Sequence, residues 1–286
     1  MTFHAKIVAD SICTNKRITT VELQYPRFIH GEVMTHRVFS RNAMSSRAIP
    51  VAKMIDQVLE NPATPVHWGA NQPGMQASEE LPDVMDETLG TSPKQYVKNL
   101  WAHAADQAAQ VARRMVALGA HKQVANRILE PFQWMRTLVT ATEWENFFEL
   151  RCHPDAQPEF QHLAYMLRDA MAASTPVARI PHEGGPDSWH LPYVRDDERR
   201  LYRVDVLLKL STARCARVSY LTHDGANPNV DQDIALYERL VGSSPIHASP
   251  CEHQAFPAKF ANERSRNFIG WVQHRQYIDG KGAMAC

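Results

Sequence analysis

The stretch from Ser92 to Gly119 is the clearest structural signal in the chain. Ser92-Pro93 is a helix start, with serine as the N-cap and proline at the first helical position. Tyr96, Leu100, Trp101, Ala104, Ala108, Val111, Met115 and Leu118 form an apolar stripe, and Gly119 ends it. Upstream, residues 5–30 read as strands. Ile18-Thr19-Thr20-Val21-Glu22-Leu23-Gln24-Tyr25 is rich in β-branched and aromatic residues, partly alternates, and is closed by Pro26. Residues 28–48 turn helical, with Phe28, Ile29, Val33 and Met34 at helical spacing. Further helices are expected over roughly 131–150 and 156–173, stopped by Pro176 and Pro181. A strand or helix follows at 202–221, then a polar turn at 223–229 and a helix over roughly 231–241. The tail holds a strand from Gln254 to Phe260 and a short helical segment around Phe268 to Val272. Two loops rich in Pro and Gly, 61–92 and 181–200, are long enough to suggest function or mobility.

Composition narrows the function. The 286 residues carry 31 Lys+Arg and 31 Asp+Glu, a balance that argues against a nucleic-acid partner and a polybasic membrane-surface protein. No apolar run reaches the roughly 20 residues a membrane helix needs. The start, MTFHAKIVAD, does not read as a secretory signal. Five scattered cysteines (Cys13, Cys152, Cys215, Cys251, Cys286) without a C-x-x-C pair argue against a disulfide scaffold or a structural zinc site, and fit a reducing cytoplasm.

Three constellations could carry chemistry. Residues 35–47 hold Arg37, Arg41, Arg47, His36, three serines and Asn42, with no acid. Arginine forks grip phosphate in two places and hydroxyls complete the cradle, so this segment reads as an anion site; the plainer reading is a solvated basic face. Arg127 and Arg151 each interrupt an apolar neighbourhood and need a partner, either a ligand anion or an internal carboxylate such as Glu130, Glu145 or Glu149. His247, Cys251 and His253 could be read as zinc ligands or as a thiol nucleophile beside a base, but the spacing is that of no common site; a polar turn around a buried cysteine is the plainer reading. Glu252 is placed to orient an imidazole. The chain has no G-x-G-x-x-G, no P-loop, no G-x-S-x-G and no H-E-x-x-H, which argues against a Rossmann or P-loop enzyme.

The stretch from Pro26 to Arg47 resembles the signature of the flavin-dependent thymidylate synthases. His36, Arg37, Ser40, Asn42, Ser45 and Arg47 fall at the signature's offsets; Thr35 stands where an arginine is expected, Ala43 where Glu or Gln is common, and Glu32 where Gln is usual. Asn126-Arg127-Ile128-Leu129-Glu130-Pro131 is similar to the family's Arg-x-x-Leu-Pro segment. Asn146 to Arg151 with Ala156-Gln157-Pro158-Glu159 is similar to its Phe-Leu-x-Leu-Arg and Ala-Gln-x-Glu segments. Two pieces that the family places first come last here: Ala216-Arg217-Val218-Ser219-Tyr220 and His247-Ala248-Ser249-Pro250-Cys251-Glu252-His253. The chain therefore resembles a circularly permuted member, a single domain over 1–286. Residues 1–175 hold the signature and helical part, and 201–286 the part usually N-terminal. Gln273-His274-Arg275, in a segment (266–275) that echoes 26–37, stands where a second Arg-His-Arg would be.

The resemblance implies an α+β fold, a mixed or antiparallel sheet packed with long helices. It implies FAD as cofactor, NADPH and methylenetetrahydrofolate as co-substrates, and conversion of dUMP to dTMP in a cytoplasmic homotetramer whose sites draw on several subunits. His36, Arg37, Ser40, Asn42, His253 and Glu252 would be cofactor-binding. Ser45, Arg47, Arg127 and Arg151 would hold the nucleotide, with Arg151 and Ser45 closest to the chemistry. No protein nucleophile and no metal is required. The departures at Thr35, Ala43 and Cys251 leave open another pyrimidine nucleotide, such as dCMP methylation or hydroxymethylation, and a non-catalytic nucleotide-binding relic.

Overall fold

The computed structural model describes residues 2–181, 185–218 and 229–283. Strands β1 (His4–Cys13) and β2 (Lys16–Pro26) form a hairpin across Thr14-Asn15, both at positive φ, the turn geometry that matches strand twist. The chain then makes a 3-10 turn, Arg27–Ile29, a one-turn helix α1 (His30–Val33) and strand β3 (Ser40–Ala43). Helices α2 (Val51–Glu60), α3 (Pro93–Ala117) and α4 (Lys122–Ala125) follow, then a 3-10 stretch, Asn126–Phe132, and strand β4 (Trp134–Ala141). Helices α5 (Glu145–Arg151) and α6 (Pro158–Ala173) and the short strand β5 (Val177–Ala178) complete this part. The sheet order is β3-β4-β2-β1-β5, antiparallel except for the parallel β1·β5 pair. The fold is α+β with a mixed sheet, as expected.

Strand alternation gives the sheet two unlike faces. On one, Val21, Leu23, Tyr25, Met135 and Val139 pack with Phe147, Phe160, Leu163 and Leu167 of α5 and α6. The other carries a polar row, Ser11, Thr20, Ser40, Asn42 and Thr140, and all five are buried. The remainder of the chain covers that row. It comprises α7 (Asp196–Leu201), α8 (Val204–Arg217), α9 (Val230–Val241), strands β6 (Ala255–Pro257), β7 (Arg264–Ser265), β8 (Phe268–Ile269) and β9 (Trp271–Gln273), and α10 (Arg275–Ala283). Gly270, between β8 and β9, has φ +74, and a Cβ there would lie 2.9 Å from the Ala261 carbonyl oxygen, so glycine is required.

Several sequence expectations are corrected. The helix expected over 28–48 is one turn followed by β3, because Ser40–Ala43 pair with Thr140–Thr137. The helix expected at 131–150 is β4 and then α5. The short helical segment at Phe268 to Val272 is two strands around Gly270. Of the 202–221 stretch, Val204–Arg217 is helix, so Ala216 and Arg217 close α8 rather than open a strand. Ser219, Tyr220 and most of the 223–229 turn lie outside the described residues, as do 182–184 of the second loop and Cys286.

In α3 the ends are as expected: the Ser92 side chain accepts from the Gln95 N–H and Gly119 has φ +87. The buried face differs. Ala105, Ala108, Ala109 and Ala112 face Val51, Met54, Ile55 and Val58 of α2, whereas Tyr96, Leu100, Val111 and Leu118 are exposed. Small side chains let the two helix axes come close. Ala109→Leu should therefore overpack this contact and destabilise by roughly 1–3 kcal/mol in chemical denaturation, while Ala104→Leu on the exposed face should stay within about 0.5 kcal/mol. Equal stability of the two variants would contradict this placement.

Candidate active site

The signature segment leaves α1, crosses β3 and ends in the turn before α2, and two distant segments grip it. At its start, Arg151, the last residue of α5, donates from Nε to His36 Nε2 at 3.0 Å and from Nη2 to Thr35 Oγ1 at 3.3 Å. Its guanidinium lies over the Phe160 ring, 4.5 Å from the centroid, and Nη1 is 4.0 Å from Glu32. Arginine only donates, so His36 Nε2 accepts and its proton sits on Nδ1. Burial first, then the charges of Arg151 and Arg41, pull the His36 pKa down to about 4, so the ring is neutral and suits that acceptor role.

At the other end, Glu130 Oε1 accepts from Ser46 Oγ at 3.0 Å and Arg127 Nη1 at 3.0 Å, and pairs with Arg27 Nη2 at 3.1 Å. Asn126 Nδ2 donates to the carbonyls of Ser46 and Ile49 at 2.6 and 3.0 Å. Between the two ends, Arg41 Nη1 donates to the Met34 carbonyl at 2.8 Å, closing the C-terminus of α1. Arg27, His30, Arg127 and Glu130 help line a cleft of about 460 Å3 beside the segment. Arg27 carries no role in the sequence reading, Arg41 enters it only as part of the arginine-rich stretch, and Glu130 only as a candidate carboxylate for Arg127 or Arg151. Only the lack of any acid within 35–47 hints that an outside carboxylate is needed.

The expected site residues fall into two groups. Arg37 and Arg47 are exposed and have no acid in ion-pair contact among the described residues. Arg127 is exposed, and its Glu130 pair is the internal carboxylate that the sequence left open. Ser45 and Arg151 are half-buried. Ser40, Asn42 and His253 are engaged inside the fold. Ser40 Oγ accepts from Gln273 Nε2 at 2.9 Å, so the 266–275 segment rests on the signature strand itself. Asn42 Nδ2 donates to the Cys215 carbonyl at 2.8 Å. His253 Nδ1 is 2.8 Å from Thr140 Oγ1, while its Nε2 has no partner, and burial pulls its pKa down to about 3. Glu252 pairs with Arg275 at 2.8 Å, with burial raising its pKa. Cys251 is fully buried and burial pushes its thiol up to about 12, which leaves no thiolate at neutral pH. No cluster of three metal-ligating side chains exists among the described residues, and no helix there is long and apolar enough to cross a membrane.

The site thus sets exposed guanidiniums, without acid partners among the described residues, on a segment fixed at both ends of an α+β fold. The chain belongs to the family described as thymidylate synthase complementing protein, whose model matches residues 16–177. That span holds the whole signature, Arg127, Arg151 and the five-stranded sheet except β1 and the last residue of β5. Two solved structures show partial similarity. One is the UMP/dUMP methylase PolB from Streptomyces cacaoi bound with 5-Br UMP: 17% identity over 60% of this chain and 89% of that one, TM-score 0.44. The other is the same enzyme bound with 5-Br dUMP: 19% identity over 55% and 67%, TM-score 0.39. No curated protein gives a significant sequence match.

The buried histidines make a pH prediction. His30 and His36 titrate near 4 when folded and His253 near 3, each lowered chiefly by burial from 6.5. The unfolded chain therefore binds protons first as pH falls. The contribution of these rings to stability is full above about 6.5 and is lost progressively down to about 3. The urea midpoint should fall steadily between pH 7 and pH 4.5; a constant midpoint would contradict the neutral, buried state of these rings.

Proposed function

We propose that the chain transfers a one-carbon unit from methylenetetrahydrofolate to C5 of a pyrimidine deoxynucleotide, with dUMP to dTMP as the reaction. One observation carries the reading. The fold brings Arg151 onto His36 and Asn126 and Glu130 onto Ser46, so the three segments that resemble the family's nucleotide-binding pieces form one arginine-rich surface. Arg47, Arg127 and Arg151 with Ser45 hold the nucleotide. The phosphate takes the place that a carboxylate would otherwise fill beside Arg47. Arg151, held in plane by His36 and Thr35, stabilises negative charge on the pyrimidine carbonyl as C5 becomes nucleophilic.

The exposed, acid-free Arg37 suits the phosphates of an FAD, and His36 lies next to it in sequence. Ser40, Asn42, Glu252 and His253 support that segment from beneath. FAD, when bound, supplies the hydride chemistry, with NADPH as its reductant. The protein's part is to orient, to neutralise phosphate charge and to exclude water.

We read residues 1–286 as one permuted domain. In support, Gln273 and His253 reach Ser40 and Thr140 on the sheet that carries the signature strand. A cytoplasmic homotetramer belongs to the same reading. Thr35 favours weighing a second substrate: its hydroxyl takes a bond from Arg151 where the family has an arginine, so the charge near the base is altered. Methylation or hydroxymethylation of dCMP is that alternative.

The test is calorimetric titration of dUMP and of dCMP into FAD-loaded protein. dUMP should bind more tightly, and Arg151→Ala should weaken it by ~2 kcal/mol or more, the scale for losing a buried charged hydrogen bond. Tighter dCMP binding would select the second substrate, and unchanged dUMP affinity in Arg151→Ala would remove Arg151 from the site.

A further inference from the structure

His30, the first residue of α1, lines the same cleft as Arg127. Its ring is half-buried and stacks on Tyr25, with centroids 6.1 Å apart and planes 19° from parallel. Nδ1 is 2.9 Å from the Tyr25 hydroxyl, which in turn is 2.7 Å from Thr137 Oγ1. Nε2 has no hydrogen-bond partner among the described residues, and it is not one of their buried orphan atoms, so it opens onto the cleft.

Hydrogen-bond accounting places the imidazole proton. Burial pushes the Tyr25 phenol well above its usual range, so it stays a hydroxyl with one proton to give. Thr137 is fully buried, and among the described residues its hydroxyl meets only Tyr25. If His30 Nδ1–H donated to Tyr25, Tyr25 would donate to Thr137 and the Thr137 proton would be stranded. The reverse order uses every proton. Thr137 donates to Tyr25, Tyr25 donates to Nδ1, and the ring proton sits on Nε2. Burial, then the charges of Arg27 and Arg41, against that of Glu130, pull the His30 pKa down to about 4. At neutral pH the ring therefore offers the cleft one uncharged N–H donor.

The cations beside that donor are held together by one atom. Arg27 Nη2 and Arg127 Nη1 lie 3.1 and 3.0 Å from the same oxygen, Glu130 Oε1. A single carboxylate balances only one of the two guanidiniums, and the charge of Arg41 also reaches His30. Arg127 keeps Nε and Nη2 without an acceptor among the described residues. We propose that His30 Nε2–H is a further nucleotide-binding donor, which with Arg27 and Arg127 holds a phosphate oxygen of the pyrimidine nucleotide. This role rests on the nucleotide reading of the surface and extends it to two residues outside the signature segment. An uncharged donor beside two arginines adds direction without adding a repelling cation. Tyr25 and Thr137 act as positioning residues, because they hold the plane and the tautomer of the ring.

The experiment uses FAD-loaded protein. Proton–nitrogen NMR of the unsubstituted protein should show His30 protonated on Nε2, and adding dUMP should shift that N–H signal. In calorimetric titration His30→Leu should bind dUMP roughly tenfold more weakly or worse. His30→Gln, whose amide keeps a donor, should stay within about threefold of the unsubstituted protein. The phosphorus resonance of bound dUMP should also move in His30→Leu. The tautomer is read without any substitution, so it decides the matter if the leucine variant does not fold. A ring protonated on Nδ1, unchanged dUMP affinity in His30→Leu, or an unmoved phosphorus resonance would overturn the role of His30 and leave dUMP binding standing. An unsubstituted protein that binds no dUMP would overturn the nucleotide reading together with it.

Discussion

Thr20 and Thr140, whose hydroxyls lie 2.7 Å apart in the middle of the sheet, decide how the molecule is assembled. They belong to a row of five buried polar side chains on one face, and a buried hydroxyl left without a partner costs about 1–3 kcal/mol. The row therefore requires a cover that can hydrogen-bond. Residues beyond 185 provide one: His190 on Thr20, His253 on Thr140, Gln273 on Ser40, and the Cys215 carbonyl on Asn42. The opposite face needs only shape, and α5 and α6 fill it with Phe147, Phe160 and Leu163. Register and cover are thus coupled, because a one-residue slip would turn the hydroxyls towards the apolar helices.

The same division positions the signature. Strand β3 buries Ser40 and Asn42 in the polar layer, which points Arg41 to the other face, where it closes α1. With the middle of the segment fixed, its flanks are left to carry charge. Arg37 and Arg47 project into solvent, while Arg151 and Glu130 hold the ends. The positive charge is rigidly mounted and uncompensated, the arrangement that anion binding rewards.

Much of this was legible where a residue's role is local. The caps of α3 follow from Ser92, Pro93 and Gly119, and the strand character of residues 5–26 shows in the β-branched, partly alternating run Ile18 to Tyr25. Misread elements were those where partners decide. Trp134 to Ala141 has helical apolar spacing, yet pairing with both β2 and β3 makes it a strand. In α3 the expected stripe, mostly large side chains with Ala104 and Ala108, shares only Ala108 with the four alanines that pack against α2. For the site, the arginine-rich segment was visible at once. That Arg151 meets His36, 115 positions away, was not, because nothing in local spacing encodes a contact made through α5 and the sheet. Burial of His253 was equally hidden, since it depends on a hydroxyl in β4.

The central claim is that this arginine surface serves a flavin- and nucleotide-dependent enzyme. Its most direct test is the visible absorbance spectrum of the purified protein, recorded with added FAD and again after dUMP. The account predicts a flavin band retained through gel filtration, shifted by dUMP, and absent in Arg37→Ala of unchanged fold. A protein that takes up no flavin under these conditions would contradict it and leave a nucleotide-binding relic as the better description.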